Sequence, residues 1–496
     1  MKSDKTDICL VSPISRATSA TVPIALLYLH SWLVFKGVVV KIIDVKCGHP
    51  GGGLTDFLRL KKRNEIISKI KQCQPAMVGI PCYTPEFWEV IEMCSQIREQ
   101  FSGAIVIGGM HATLQPLDFL YEGSPVDYVI RGDGQIPLFN LFESIQAKSN
   151  TKHIEGLCNK ETILEKLPEA AEFVQWEQMP VPDYSQINME YYLQPHTNLI
   201  RNLMASGIHV MTTIGCPFSC TFCSNSNKKV KYRPIQNVID ELLMLRKKYA
   251  IDTFYILDDT FLLKKTRVEE FVSLLKDKRL DCAWAMETRV NLINDKLVEM
   301  IKNAGCIQID FGVESGSEES LLRMKKGIKP NQIREAFRIC HKFKLRTLAN
   351  FMFNTPGESE NDVNETIRMI MEIKPTVTGI CLTVPFPGTA IYNEYIKPPL
   401  LKEEYKIYST KYLYVTKVDS RFSMVKHNLD LIALRIRTTA KANGIRSLID
   451  LTINRRYWGA VFHSKRKSAY FIAFTKGVGM LVVEKTRRIF RIMWRS

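Results

Sequence analysis

The sequence predicts an α/β protein: an N-terminal doubly wound, Rossmann-like parallel sheet, then a (β/α)6 partial TIM barrel, then a basic, mainly helical C-terminal region. Three observations predict it. Short β-branched apolar runs alternate with helix-period segments, as buried parallel strands alternate with crossover helices. The alternation lapses over residues 146–204 and then resumes. It stops near residue 400, and Lys and Arg dominate toward the end. The boundaries that follow are 1–145, a linker 146–204, a barrel 205–400 and a tail 401–496.

Five runs open the chain: ICLVSP (8–13), VVVKIIDV (38–45), MVGIPCY (77–83), AIVIGG (104–109) and DYVIRGD (127–133). Helical patterns over 57–71 and 85–100 separate some of them. Such sheets bind ligands beyond the carboxyl ends of their strands. The ends here carry glycines, at Gly108–Gly109 and Gly132–Gly134, where a ligand can approach the backbone closely.

The second series is VMTTIG (210–215), TFYILDD (253–259), CAWAME (282–287), IQIDFGVE (307–314), LANFMFN (348–354) and ICLTVP (380–385). Thr266 and Glu269 have the spacing of a capping box opening one intervening helix. Polar residues gather at the strand C-termini, where barrel active sites lie.

Composition narrows the class. At 496 residues the chain should hold two or three domains. Thirteen cysteines, an odd count in a long chain that opens directly into a strand pattern, do not read as a disulfide framework. A reducing cytoplasm is the expected location. The apolar stretch 24–35 is too short to span a bilayer and contains His30. Of the net charge of +17, an excess of 13 falls in residues 431–496, which hold 15 Lys or Arg against Asp450 and Glu484. The stretches 470–483 and 484–495 place basic residues beside Phe490 and Trp494. That pattern suits membrane association through a helix in the interface, and equally a solvated basic face. No nucleic-acid-binding module is recognisable, so nucleic acid is not the expected partner.

The densest chemical signal is Ile214-Gly-Cys-Pro-Phe-Ser-Cys-Thr-Phe-Cys223. Three thiolates this close can wrap one face of a cubane iron–sulfur cluster and leave the fourth iron open. An open metal position signals catalysis. The competing readings are a zinc loop, which wants a fourth nearby Cys or His, and three ordinary buried cysteines.

On these residues the chain resembles the radical S-adenosylmethionine superfamily over roughly 205–395. The resemblance continues through Asp258-Asp259-Thr260-Phe261, Gly312-Val-Glu-Ser-Gly316, Thr355-Pro-Gly-Glu358 and Pro385-Phe-Pro-Gly-Thr389. It implies a [4Fe–4S] cluster on Cys216, Cys220 and Cys223, and cleavage of S-adenosylmethionine to a deoxyadenosyl radical. It implies cofactor contacts by Phe222, Asp258, Asp259, Glu314 and Ser315. Trp284 and Arg289 resemble a Trp…Arg pattern of the superfamily, with core packing the alternative for Trp284. Asn354 departs from the pattern, which usually has glycine there.

Residues 1–145 resemble the cobalamin-binding domain that precedes the barrel in one class of these enzymes. The resemblance rests on Ile107-Gly-Gly-Met-His-Ala-Thr113 and Val129-Ile-Arg-Gly-Asp-Gly-Gln135. It implies cobalamin contacts at Gly108, Gly109, His111, Thr113, Arg131, Gly132 and Gly134, with a satisfied structural histidine the alternative for His111. An Asp-x-His-x-x-Gly loop for cobalt is absent, because Asp44 and His49 have the wrong spacing. The class implies an electron donor such as flavodoxin or ferredoxin. It also implies methylation of an unactivated carbon in a lipid, isoprenoid, porphyrin-like or other natural-product substrate. The alternatives are a cyclase or rearrangement enzyme, a tRNA methylthiotransferase with a second cluster on Cys9, Cys47 and Cys82, and a non-catalytic sensor.

Overall fold

The computed structural model describes residues 6–161, 167–224, 228–408, 420–443 and 454–475. The front sheet is built from β1 (Ile8–Val11), β2 (Val40–Ile43), β3 (Met77–Pro81), β4 (Ala104–Gly108), β5 (Tyr128–Ile130) and β6 (Leu157–Cys158) in the order β2-β1-β3-β4-β5-β6. The first five are parallel, and β6 runs antiparallel to β5. The order 2-1-3-4-5 is that of doubly wound nucleotide-binding sheets, with its switch point between β1 and β3. Helices Ile24–Phe35 and Gln135–Gln146 join one core, and Asp56–Cys73 and Phe87–Arg98 join a second. The β-branched runs are thus buried from both faces, which is why they read as continuous apolar strings.

The segment expected to be a linker is instead structured. It supplies β6, a bridge from Gly132 to Ala171, and the hairpin β7 (His196–Ile200) and β8 (Leu203–Ala205). Its aromatics Trp176, Tyr184 and Tyr192 are almost fully buried, so hydrophobic burial joins it to the core without any βα rhythm.

The barrel sheet comprises β9 (Gly207–Val210), β12 (Thr253–Ile256), β13 (Ala283–Thr288), β14 (Cys306–Glu314), β15 (Arg346–Phe353) and β16 (Val377–Leu382), all parallel in sequence order. The first barrel strand ends at Val210, earlier than expected. Thr213–Ile214 leaves as β10 and pairs antiparallel with β11 (Lys231–Tyr232), closing the base of the cysteine loop. The expected capping box does not form: helix Lys265–Asp277 starts one residue before Thr266, with Lys264 at its N-cap and no side-chain cap bond. Thr266 therefore lies inside the first turn. Trp284 is core. It is fully buried, stacks on Phe254 and donates from Nε1 to the Ala304 carbonyl at 3.0 Å.

Beyond residue 400 the described chain is not only helical tail. Tyr405, Tyr408 and Phe422 pack into the front-domain core, strapping the two units together. Helices Leu431–Ala442 and Arg455–His463 follow. No described helix is long and apolar enough to cross a membrane. Most of the tail stretch 470–495 lies outside the described residues, which end at Thr475.

Candidate active site

The cysteine loop departs from a braced strand end. Asp258, buried just past β12, accepts from the Thr212 and Thr213 backbone N–H groups at 2.7 and 3.0 Å and from the Thr212 hydroxyl at 2.5 Å. These donors oppose the upward push that burial gives its carboxyl. Asp258 thus fixes where the loop begins. The loop is pinned again by Thr221, whose N–H donates to the Met324 carbonyl (3.0 Å) and whose carbonyl accepts from Ile391 (3.2 Å).

Cys216 and Cys220 are half-buried and Cys223 is exposed. The thiols at other positions differ sharply. Burial pushes Cys94, Cys282 and Cys340 up to about 12 and Cys158 up to about 11. Those thiols stay protonated and are poor ligands. Cys9 and Cys82 are fully buried too, with thiols raised by burial, while Cys47 is half-buried.

Arg289 covers the loop. Its Nη1 lies 3.9 Å from Cys220 Sγ, its Nη2 donates to the Lys326 carbonyl, and its guanidinium carbon stands 3.7 Å from the Phe218 ring centroid. The side chain is almost wholly buried, and its Nε has no hydrogen-bond partner. A buried guanidinium with an idle N–H is costly unless an anion completes it. A cluster carrying thiolate charge beside Cys220 fits that need. Among the described residues no three His, Cys, Asp or Glu side chains converge on a single ion. A cubane spreads its cysteines over separate irons and asks for no such convergence.

The rim of the barrel holds the other expected residues. Glu314 ends β14 in the left-handed region (φ 68°) and pairs with Lys326 Nζ at 2.7 Å; Lys326 in turn lies 5.8 Å from the Phe222 ring. Ser315 Oγ is bonded to Thr366 Oγ1 (2.8 Å) and accepts from the Ser317 N–H (3.1 Å), so it shapes the turn. Asp259 is exposed at the mouth. Deeper in the lumen, burial and the Asp310 charge push the Glu287 carboxyl up to about 7. Arg201, exposed at the β7–β8 tip, acts electrostatically on Glu287, Asp310 and Cys381 and stands near Asn350.

Asn354, the departure from the resembled pattern, has a physical use. It adopts φ 62°, which asparagine tolerates. Its Nδ2 donates to the Thr383 and Phe422 carbonyls (2.8 and 2.7 Å), and its Oδ1 accepts from Met424 N–H at 3.0 Å. Glycine could take the backbone shape but could not sew the 422–424 strap to the rim.

Glu358 beside it accepts from the Asn354 N–H and the Thr355 hydroxyl and faces His427 Nε2 at 3.6 Å and Asp362. Burial pushes its carboxyl up to about 7 from an ordinary 4.5. Between those values the folded chain keeps a proton that the unfolded chain has released. The stabilisation is full below about pH 4.5 and is lost as pH rises through about 7, at a slope approaching 1.4 kcal/mol per pH unit. Melting temperature measured against pH should fall over this window. Glu358→Gln should flatten the Glu358 share of the slope; identical slopes would sink the assignment.

At the front-domain edge, glycine serves the chain before any ligand. Gly109 (φ 93°) lies so close to β3 that a side chain would meet the Cys82 backbone at 3.0 Å. Gly132 (φ 82°) is crowded by the Ala171 backbone. Gly108 differs, with open space where a side chain would project, and a close-approaching ligand fits there. Gly134 faces Leu29. Thr113 accepts from the Gly132 N–H (2.9 Å), and Arg131 Nε donates to the Thr113 carbonyl (3.1 Å), tying the two motifs together.

His111 was expected to touch a cofactor; the structure buries it completely. Its Nδ1 meets Thr84 Oγ1 at 3.0 Å, and the rings of Phe87, Phe119 and Tyr405 surround it. Asp44 pairs with Lys46 (3.2 Å) and Tyr192 (2.7 Å), and His49 bonds its own loop carbonyl, so neither is arranged as a metal ligand.

The two ligand edges meet. In the loop after β16, a side chain at Gly388 would lie 2.8 Å from Leu114, the last residue of the short helix Met110–Leu114 that follows β4. The barrel mouth and the front-domain edge thus abut.

The sequence matches the Radical SAM superfamily over residues 210–370 and the B12 binding domain over 14–141. It is 31% identical over 401 residues to an uncharacterized methyltransferase of Pyrococcus horikoshii, covering 79% of this chain and 82% of the relative. The chain belongs to the B12-binding radical S-adenosylmethionine enzymes. The anaerobic magnesium-protoporphyrin IX monomethyl ester cyclase of Cereibacter sphaeroides is 24% identical, covering 78% of this chain and 63% of that one. Among solved structures, the radical S-adenosylmethionine methyltransferase TsrM of Kitasatospora setae shares the fold, with TM-score 0.64, 19% identity, and coverage of 79% and 78%.

The cofactors of this B12-binding radical class are a [4Fe–4S] cluster, S-adenosylmethionine and cobalamin. Sequence reasoning missed four residues of the site. Phe218 lies inside the cysteine motif and Glu287 ends the run 282–287, with nothing local to mark their part; Lys326 and Arg201 lie in no motif, and only the fold brings them to the site.

Proposed function

We propose that this chain is a cobalamin-dependent radical C-methyltransferase acting on an unactivated carbon of a lipid, isoprenoid, porphyrin-like or other natural product. The observation that carries it is the approach of Leu114, after β4, to Gly388, after β16, which supports a front-domain ligand edge facing the barrel mouth. When bound, the cluster with S-adenosylmethionine supplies hydrogen abstraction and cobalamin supplies a methyl group. The chain's own residues do the rest. Cys216, Cys220 and Cys223 hold the cluster, and Arg289 balances its charge. Lys326 and Glu314 order the rim next to Phe222. Arg201, Glu287 and Asn350 face the lumen as the substrate chamber. Asp259 and Phe222 are assigned to the cofactor side of that chamber, and Gly108, Thr113 and Arg131 to the cobalamin edge. A flavodoxin or ferredoxin supplies the electron.

The relative named as a cyclase favours ring closure as the second reading. One experiment separates the two. The chain is expressed anaerobically with cobalamin, and lipid and pigment extracts with and without the gene are compared by mass spectrometry. A compound heavier by one methylene supports methylation. A product that has changed its hydrogen or oxygen content without gaining carbon overturns it.

A further inference from the structure

The underside of the barrel, at the N-terminal ends of its strands, carries chemistry that the active site does not use. A cavity of about 520 Å³ opens there beneath β14, β15 and β16. Lys302, Lys344, Arg346, Lys374, Arg455 and Arg456 line it, with no Asp or Glu among the lining residues. Part of this has a structural cause. Lys302, Lys344 and Lys374 stand at or just beyond the C-terminal ends of helices Asp295–Asn303, Pro330–Lys342 and Glu360–Ile373. Cations complement helix dipoles at such ends. The magnitudes do not cancel: three helix ends supply roughly −1.5 charges against the six cations. Arg456 is paired with Asp281 at 2.8 Å, Arg346 is buried beside Asp310 and bonds Gln308, and Lys302 donates to the Phe343 carbonyl, so the exposed cations of the basin are Lys344, Lys374 and Arg455.

The helix Arg455–His463 carries this surface across the underside. Its inner face is fixed: the Tyr457 hydroxyl donates to the Met204 carbonyl (2.9 Å), and Ser464, just after it, bonds Asp252 (2.5 Å). Residues 467–475 are also helical and dock through Tyr470, whose hydroxyl accepts from the Ser206 N–H at 2.8 Å. Among the described residues the outer faces have no such cover. Phe462, Phe471 and Ile472 are 65%, 69% and 51% exposed, and Trp458 sits between Phe462 and Phe474 at 5.7 Å from each ring. Lys465 and Lys467 are exposed beside them. Twenty-one further residues follow Thr475, six of them Lys or Arg against one Glu.

We propose that this underside docks on an anionic phospholipid bilayer: the basin takes headgroup phosphates, and the ledge of Phe462, Phe471 and Ile472 enters the headgroup–acyl boundary. Cationic groups beside exposed large apolar side chains are the combination that such an interface selects. Nucleic acid could also use the basin and stack bases on Phe462 and Phe471, so the transfer-RNA arm of the test separates the two. The mouth lies at the opposite end of the strands, so the contact tethers the enzyme and leaves the cysteine loop clear. The inference is independent of which reaction the chain catalyses.

The test is flotation of the full-length holoenzyme with vesicles of phosphatidylglycerol mixed with phosphatidylcholine, and of phosphatidylcholine alone. Binding should favour the anionic vesicles and fall with salt. Each of Lys344→Gln, Lys374→Gln and Arg455→Gln should weaken it roughly fivefold. Phe462→Ser, Phe471→Ser and Ile472→Ser combined should weaken it roughly tenfold or more. Unchanged circular dichroism and iron–sulfur absorbance certify that each variant is folded. No preference for anionic vesicles, unaltered flotation of the folded variants, or stronger retention by transfer RNA than by vesicles at equal phosphate would each overturn the proposal.

Discussion

Alanine at Cys216, Cys220 or Cys223 is expected to abolish release of 5′-deoxyadenosine from S-adenosylmethionine by the reduced, reconstituted protein. Loss of an outer-shell partner of a metal ligand typically costs 10–100-fold. Loss of a ligand itself removes the metal, so the effect should exceed that range and reach the detection limit. The reason is local. The loop offers three accessible thiols within eight residues, and burial keeps Cys94, Cys158, Cys282 and Cys340 protonated, so none of these can substitute. Iron analysis gives the second readout. Wild type should carry about four irons per chain, as one cubane requires. Cys82→Ala should leave both measurements unchanged apart from modest destabilisation. A second set of irons lost on changing Cys82 would restore the methylthiotransferase alternative. Deoxyadenosine release that survives all three substitutions would remove the basis of the assignment.

The legible parts of the molecule were those whose cause is local. Parallel strands buried on both faces must be runs of apolar residues, so β1 to β5 and β12 to β16 could be read within a few residues, whereas the run expected at 210–215 meets β9 only at Val210. The ligand loop was legible because its three sulfurs are neighbours along the chain. What escaped has non-local causes. β6 is two residues long and exists only because β5 presents a free edge. The segment 146–204 has no period, but it buries Trp176, Tyr184 and Tyr192, and their aromatic surface was the available sign that it is not a linker. The Thr266–Glu269 spacing satisfied a local rule, but the helix began one residue too early for the cap to form. Residues named from a resemblance were harder still. His111 and Asp258 sit at the expected strand ends, His111 in an aromatic cage and Asp258 accepting from backbone N–H groups, contacts that no local motif announces.

Arg289 shows what such long-range placement does to chemistry. Arg289→Met keeps much of the side chain's volume over Phe218 and removes its charge and its donors. A full unit charge at 3.9 Å, the distance from Nη1 to Cys220 Sγ, is worth about 4 kcal/mol at an effective dielectric constant of about 20. Cluster charge is shared over several sulfurs, so a fraction of that is expected to reach the redox couple. The reduced cluster carries one more negative charge than the oxidised one, and the guanidinium favours it. Removing Arg289 should therefore lower the reduction potential, on the order of 50–100 mV for a one-electron couple. Deoxyadenosine release should fall 10–100-fold, in the range seen for outer-shell partners. Arg289→Lys should restore only part of both. A lysine cannot reach the Lys326 carbonyl and Cys220 together while stacking on Phe218, because that arrangement uses the planar fork. Redox titration followed by electron paramagnetic resonance reads the potential directly. An unchanged potential with lost activity would show that Arg289 holds the Lys326 loop and does not balance the cluster's charge.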